Sequence, residues 1–148
     1  MANGWLKTKH IENGAVTNDK LATGVSRGVV LVYDVTEDGG SSGTYTLTTL
    51  DGSAFTMPAG AISLSCRHII IDAFVAVSGT PTVAIGYTGS TGGIKTAVAY
   101  NHASYTEDGI TADSGGVRVW AESPVTVTVA SNVLSAGRML VQLEYIEQ

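Results

Sequence analysis

Four sets of residues in this 148-residue chain have side chains that can do chemistry. The run Gly89-Ser90-Thr91-Gly92-Gly93-Ile94-Lys95-Thr96 has the outline of a phosphate-cradling loop. A working loop needs Lys directly after its last Gly and a helix whose N-terminus faces the phosphate. Ile94 intervenes, and residues 96–100 read as strand, so nucleotide binding is not expected. The histidines His10, His68 and His102 lie apart, with no second ligand at metal spacing on the same element. They read as surface or turn residues, and no metal is expected. Glu37-Asp38-Gly39 and Glu107-Asp108-Gly109 could supply an acid–base carboxylate pair if Asp38 and Asp108 converged in a cleft. Asp-Gly also makes tight turns unaided, Asp by bonding nearby backbone and Gly by accepting positive φ. The turn is the simpler reading. No His-Glu-x-x-His helix is present. The expectation is a chain with no catalytic residues and no cofactor.

The fourth set is aromatic. Tyr87, Tyr100, Tyr105 and Trp120 fall near loops in the middle of the chain, where rings can stack on sugars. They are the candidate glycan contacts. With only two Phe in the sequence, the same rings are also needed to fill a core.

The elements that must position these residues read as strands. Charged residues make up only 14% of the chain, against roughly 25% in an ordinary soluble domain. Thr, Ser, Asn and 18 Gly take their place, and these suit strands and turns better than helix surfaces. Apolar runs or alternations occupy residues 29–35, 44–50, 54–57, 62–65, 68–77, 82–87, 94–100 and 117–121. Clean period-2 patterns follow at 125–129 and 139–146. Residues 68–77 are apolar on both faces, which predicts a central strand covered on both sides, Asp72 being the exception. Residues 101–116 read as a polar loop. About eight to nine strands with Gly-rich turns and no amphipathic helix predict an all-β, two-sheet antiparallel sandwich of jelly-roll type. A closed barrel is the alternative.

Residues 1–28 differ. Their apolar members recur at roughly five-residue spacing, which fits neither helix nor strand. The segment reads as an N-terminal arm for attachment or oligomerisation, ordered against another subunit. Residues 29–148 form the sandwich domain. Trp5, Ile11, Val16 and Leu21 are the expected apolar anchors of the arm; packing on the chain's own sandwich is the alternative for any of them.

The formal charge is −5, with eight basic residues scattered along the chain. A phosphate backbone demands a concentrated basic face, so nucleic acid is not an expected partner. No run of about 18 apolar residues exists to cross a membrane as a helix. The N-terminus lacks the charged-then-apolar pattern of a signal peptide. Cys66 stands alone and is expected as a small buried hydrophobe in a chain that folds in a reducing cytoplasm.

Two stretches resemble a known family. Ile11-Glu12-Asn13-Gly14-Ala15-Val16-Thr17-Asn18-Asp19-Lys20-Leu21-Ala22 is similar to a segment repeated in bacteriophage tail-fibre and other virion proteins, where intertwined chains often trimerise. The second stretch runs from Ile70 to Glu147: its Thr80-Pro81-Thr82-Val83-Ala84-Ile85-Gly86 and its closing Gly137-Arg138-Met139-Leu140-Val141-Gln142-Leu143-Glu144-Tyr145-Ile146 resemble small phage β-sandwich proteins. The resemblance implies a virion structural protein assembled in the host cytoplasm. Its size and single fibre-like motif point to a capsid decoration or cement protein, a homo-oligomer, expected as a trimer, bound to the major capsid protein or other virion proteins. A tail-fibre, tail-tip or baseplate component recognising the host, through carbohydrate among other means, is the alternative.

Overall fold

The computed structural model describes residues 26–102, 105, 110–113 and 118–147. The expected arm, apart from its last three residues, lies outside the described residues, and with it Trp5, Ile11, Val16 and Leu21.

Among the described residues, ten strands and one short helix follow in order: β1 (Ser26–Asp34), α1 (Val35–Asp38), β2 (Gly43–Thr46), β3 (Thr48–Thr49), β4 (Thr56–Met57), β5 (Ile62–Ala76), β6 (Thr82–Tyr87), β7 (Ser90–Ala99), β8 (Ile110–Asp113), β9 (Ser123–Ala130) and β10 (Leu134–Ile146). One sheet has the order β3-β1-β10-β5-β8, and the other β2-β9-β6-β7 with β4 added on β9. Every pairing is antiparallel. If β3 and β4 are set aside as two-residue additions, eight strands remain. Numbered one to eight along the chain, they run 1-8-3-6 in one sheet and 2-7-4-5 in the other. That order is a jelly roll: each strand of the first half pairs with its mirror in the second, so the chain folds as a doubled-over hairpin.

Alternation decides which face is buried. In β10, Met139, Val141, Leu143 and Tyr145 point inward and are buried, while Gln142 and Glu144 point out. Val125, Val127 and Val129 of β9 do the same from the facing sheet. Because the side-chain period is 2, a one-residue slip would turn these sets to water. Registers across three strands build the core in rows, and Leu31, Val141 and His68 form one of them. Fully burying each such aliphatic is worth about 1.5–3 kcal/mol.

Several expectations are corrected. Residues 62–65 and 68–77 form one continuous strand, β5. Val35–Asp38 makes one helical turn where a turn was read, because Asp34 caps it by accepting from the Thr36 amide at 2.9 Å. β7 starts at Ser90, inside the glycine-rich run. The polar stretch 101–116 contains β8, paired with β5 through Cys66–Ile69. Residues 118–121 are not a strand; an isolated bridge joins Arg118 to Ile62. The end of the expected arm is already sheet, since Ser26, Arg27 and Gly28 pair with Ile146, Tyr145 and Glu144. His68 is no surface histidine: it is 0% exposed, its ring 5.1 Å from that of Tyr105. Cys66 is buried and in no disulfide, as expected.

Among the described residues, β5 is central but covered on one side alone. Its inward residues Cys66, Ile70 and Phe74 are buried, yet Ile71 and Val75 are 47% and 49% exposed on the outer face. Ile69 and Leu140 pair on that face, and Leu140 pairs onward with Val32. An apolar strip therefore crosses three strands on the outside of the first sheet.

Two glycines are demanded by close packing. A Cβ on Gly40 would lie 2.1 Å from the Leu134 carbonyl oxygen, and Gly137, at φ +133, sits against Phe74 where β10 shifts register.

Candidate functional site

The structure separates the four candidate aromatics into two groups. Tyr105 is 1% exposed, donates its hydroxyl to the Val83 carbonyl at 3.1 Å, and packs edge-on against Phe74. Tyr105 is a core residue and is withdrawn as a glycan contact. Tyr100 is half-buried against the same core, and its amide bonds the Pro81 carbonyl at 2.9 Å. Tyr87 and Trp120 come together in one cleft.

That cleft lies between the β6–β7 turn and the segment leading into β9. Its volume is about 360 Å³, and its walls include Tyr87, Ser90, Arg118, Trp120 and Ser123. Both walls are held by backbone. The Thr88 amide donates to the Pro124 carbonyl at 3.2 Å, tying the turn to β9. On the other side, the Gly60 amide donates to Val119 at 2.7 Å, and the Val119 amide donates to Ala61 at 2.9 Å. Val119 is 1% exposed, so its side chain plugs the core while both neighbours face outward. In an extended segment, residues two apart share a side. Arg118 and Trp120 do so, and the guanidinium carbon stands 4.5 Å from the indole ring centroid. Trp120 is 79% exposed.

Sequence reasoning missed Arg118, which stood among the scattered basic residues. The signal that could have found it is Val117-Arg118-Val119-Trp120, an alternation with its two large polar-tipped side chains on one side.

The remaining candidates are dispersed. After Gly93 the chain continues as strand β7, so no helix N-terminus faces the glycine-rich turn. Asp38 accepts from the Asp34 amide at 2.8 Å and serves its own helical turn. Asp108 and His10 lie outside the described residues. Among the described residues no group of three or more His, Cys, Asp or Glu is placed to hold a metal, and no helix is long and apolar enough to cross a membrane.

Among the described residues, the perturbed groups are structural. Hydrogen bonds from Thr36 hold the Asp34 carboxyl below its usual range, with Arg138 assisting at 3.8 Å. Burial pushes the Tyr33 phenol far above its usual range, aided by nearby Tyr45 and Asp38, and its hydroxyl donates to the Gly39 carbonyl.

No protein-family model and no curated protein sequence matches the chain. Solved structures do match in fold. A chain of the cyanophage Pam1 capsid asymmetric unit is similar at a TM-score of 0.62 and 19% identity, over 85% of this chain and 87% of that one. A chain of the acid-stable capsid of Helicobacter pylori bacteriophage KHP30 gives 0.59 and 15%, over 84% and 90%. A chain of the capsid of Ralstonia phage GP4 gives 0.59 and 14%, over 90% and 89%. At these identities the likeness is one of fold, and it spans most of both partners.

Proposed function

We propose that this chain is a non-enzymatic structural protein of a bacteriophage particle, decorating or cementing the capsid as a homo-oligomer, with the N-terminal arm as its attachment. The observation that carries the reading is the end-to-end fold likeness to chains from three phage capsids, each covered to 87% or more. A jelly roll alone is shared by capsid, lectin and cupin domains. The coverage is what favours the first, because neither molecule has a large unmatched part. The apolar strip through Ile71 and Val75 adds support, since a contiguous exposed apolar surface is normally covered in an assembly.

The arm reading rests on its sequence. Deleting residues 1–25 leaves β1 intact and isolates the arm's role. Purified capsids incubated with the truncated chain should show strongly reduced occupancy by co-sedimentation. Full occupancy would remove the arm as attachment.

The cleft favours a second reading, in which the chain is a tail-fibre, tail-tip or baseplate component recognising carbohydrate on the host surface.

A further inference from the structure

We infer that the cleft between Tyr87 and Trp120 is a binding site for an acidic saccharide, with Trp120 and Tyr87 as the stacking surfaces and Arg118 as the carboxylate partner. The inference deepens the second reading above and rests on its claim that the cleft takes carbohydrate.

Three features carry it. The first is the exposure of Trp120, at 79% the most water-exposed large apolar residue among the described residues. Its segment is fixed at Val119 by two backbone hydrogen bonds and by core burial, so the ring is presented on a rigid support. An amphipathic ring on a rigid base is suited to stacking on the apolar face of a sugar at small entropic cost.

The second is the state of Arg118. Among the described residues no carboxylate pairs with it, and the indole ring 4.5 Å away is its recorded partner. The guanidinium thus stands over one face of the indole, and its fork of donors can match a carboxylate two oxygens at a time. The chain's net charge of −5 opposes long-range attraction of an anion. Recognition of an acid must come from direct contact, and among the described residues Arg118 is the one cation lining the cleft.

The third is size and lining. About 360 Å³ lies at the low end of small-ligand sites, roughly 300–1,000 Å³, which suits one or two sugar rings better than an extended peptide. Ser90, Thr88 and the Tyr87 hydroxyl are all at hand. Each can donate and accept, as hydroxyl-rich ligands require.

The test uses the full chain titrated with sialyllactose, a glucuronic-acid disaccharide, neutral lactose and a Glu-rich peptide, followed by calorimetry and by the Trp120 indole NMR signal. The expected result is that both acidic sugars bind at least about tenfold tighter than lactose. Trp120→Ala should abolish sugar binding and Trp120→Phe should retain much of it. Arg118→Gln should bring acidic sugars down to the level of lactose. Trp120 is exposed, so its variants should keep the wild-type melting temperature, which separates loss of binding from loss of fold. Equal binding of acidic and neutral sugars overturns the inference while leaving the carbohydrate reading standing. No sugar binding, or binding of the peptide alone, overturns both.

Discussion

The hydroxyl of Tyr105 reaches the main-chain carbonyl of Val83 across 3.1 Å inside the sandwich. A loop aromatic thereby becomes a strut between the connection after β7 and strand β6. Tyr105→Phe keeps the ring and deletes the bond, leaving a buried carbonyl one partner short. Its expected cost is about 1 kcal/mol. Tyr105→Ala also opens a cavity against His68 and Phe74, at a cost of about 3–5 kcal/mol. Urea denaturation with unchanged m-values checks both. A Phe variant with full stability would mean the bond contributes nothing.

Gly40 has no room for a side chain. A Cβ there would meet the Leu134 carbonyl oxygen at 2.1 Å and the Val35 side chain at 2.7 Å. The Leu134 amide also donates to the Gly40 carbonyl at 2.8 Å, so moving the backbone apart breaks that bond. Gly40→Ala should destabilise by about 2 kcal/mol or more, at the upper end of ordinary single substitutions. Thermal denaturation beside Gly52→Ala tests the mechanism, because Gly52 has open space around it and φ +84. Its loss comes from backbone strain alone and should be smaller.

Asp34 links stability to pH. Its carboxylate takes both the hydroxyl and the amide of Thr36 and faces Arg138. These contacts favour the ionised form and depress its folded pKa. The stabilisation is therefore fully present above the ordinary carboxylate range, near pH 4, and fades as pH falls through the lower folded value. Asp34→Asn retains capping capacity and loses the charge. The variant should be slightly less stable than wild type at pH 7, and the difference should shrink as pH falls through the lowered range of the folded carboxyl. A constant difference across that range would contradict the assignment.

The outer face of β5 gives a prediction about assembly. Ile71 and Val75 are each about half exposed, so Ile71→Lys with Val75→Lys should leave stability within roughly 1 kcal/mol of wild type. In the proposed role a neighbouring virion subunit covers this strip, and capsid affinity should fall by at least about tenfold. Unchanged affinity would show that the strip faces water in the particle.

The strands with a buried and a wet face were legible from sequence. β6 has the bounds read from its pattern, and β9 and β10 follow the alternation of Val125–Val127–Val129 and Met139–Val141–Leu143. β8 was not legible, because Ile110-Thr111-Ala112-Asp113 sits among turn formers and becomes a strand only by pairing with β5. His68 looked like a turn residue because its burial comes from lying in a row with Leu31 and Val141, a relation between distant strands. The two faces of β5 were both read as covered, yet Ile71 and Val75 on the outer one are about half exposed. Of the candidate site, Tyr87 and Trp120 were legible as aromatics near loops. Their convergence was not, since it depends on backbone bonds from Thr88 to Pro124 and from Val119 to Gly60 and Ala61.

The central claim is that this jelly roll is built into a phage capsid. A difference reconstruction between particles carrying the chain and particles lacking it tests that most directly. The account predicts a β-rich density the size of one domain, repeated at regular positions over the capsid shell. Difference density confined to the tail, or none on the particle, would contradict it.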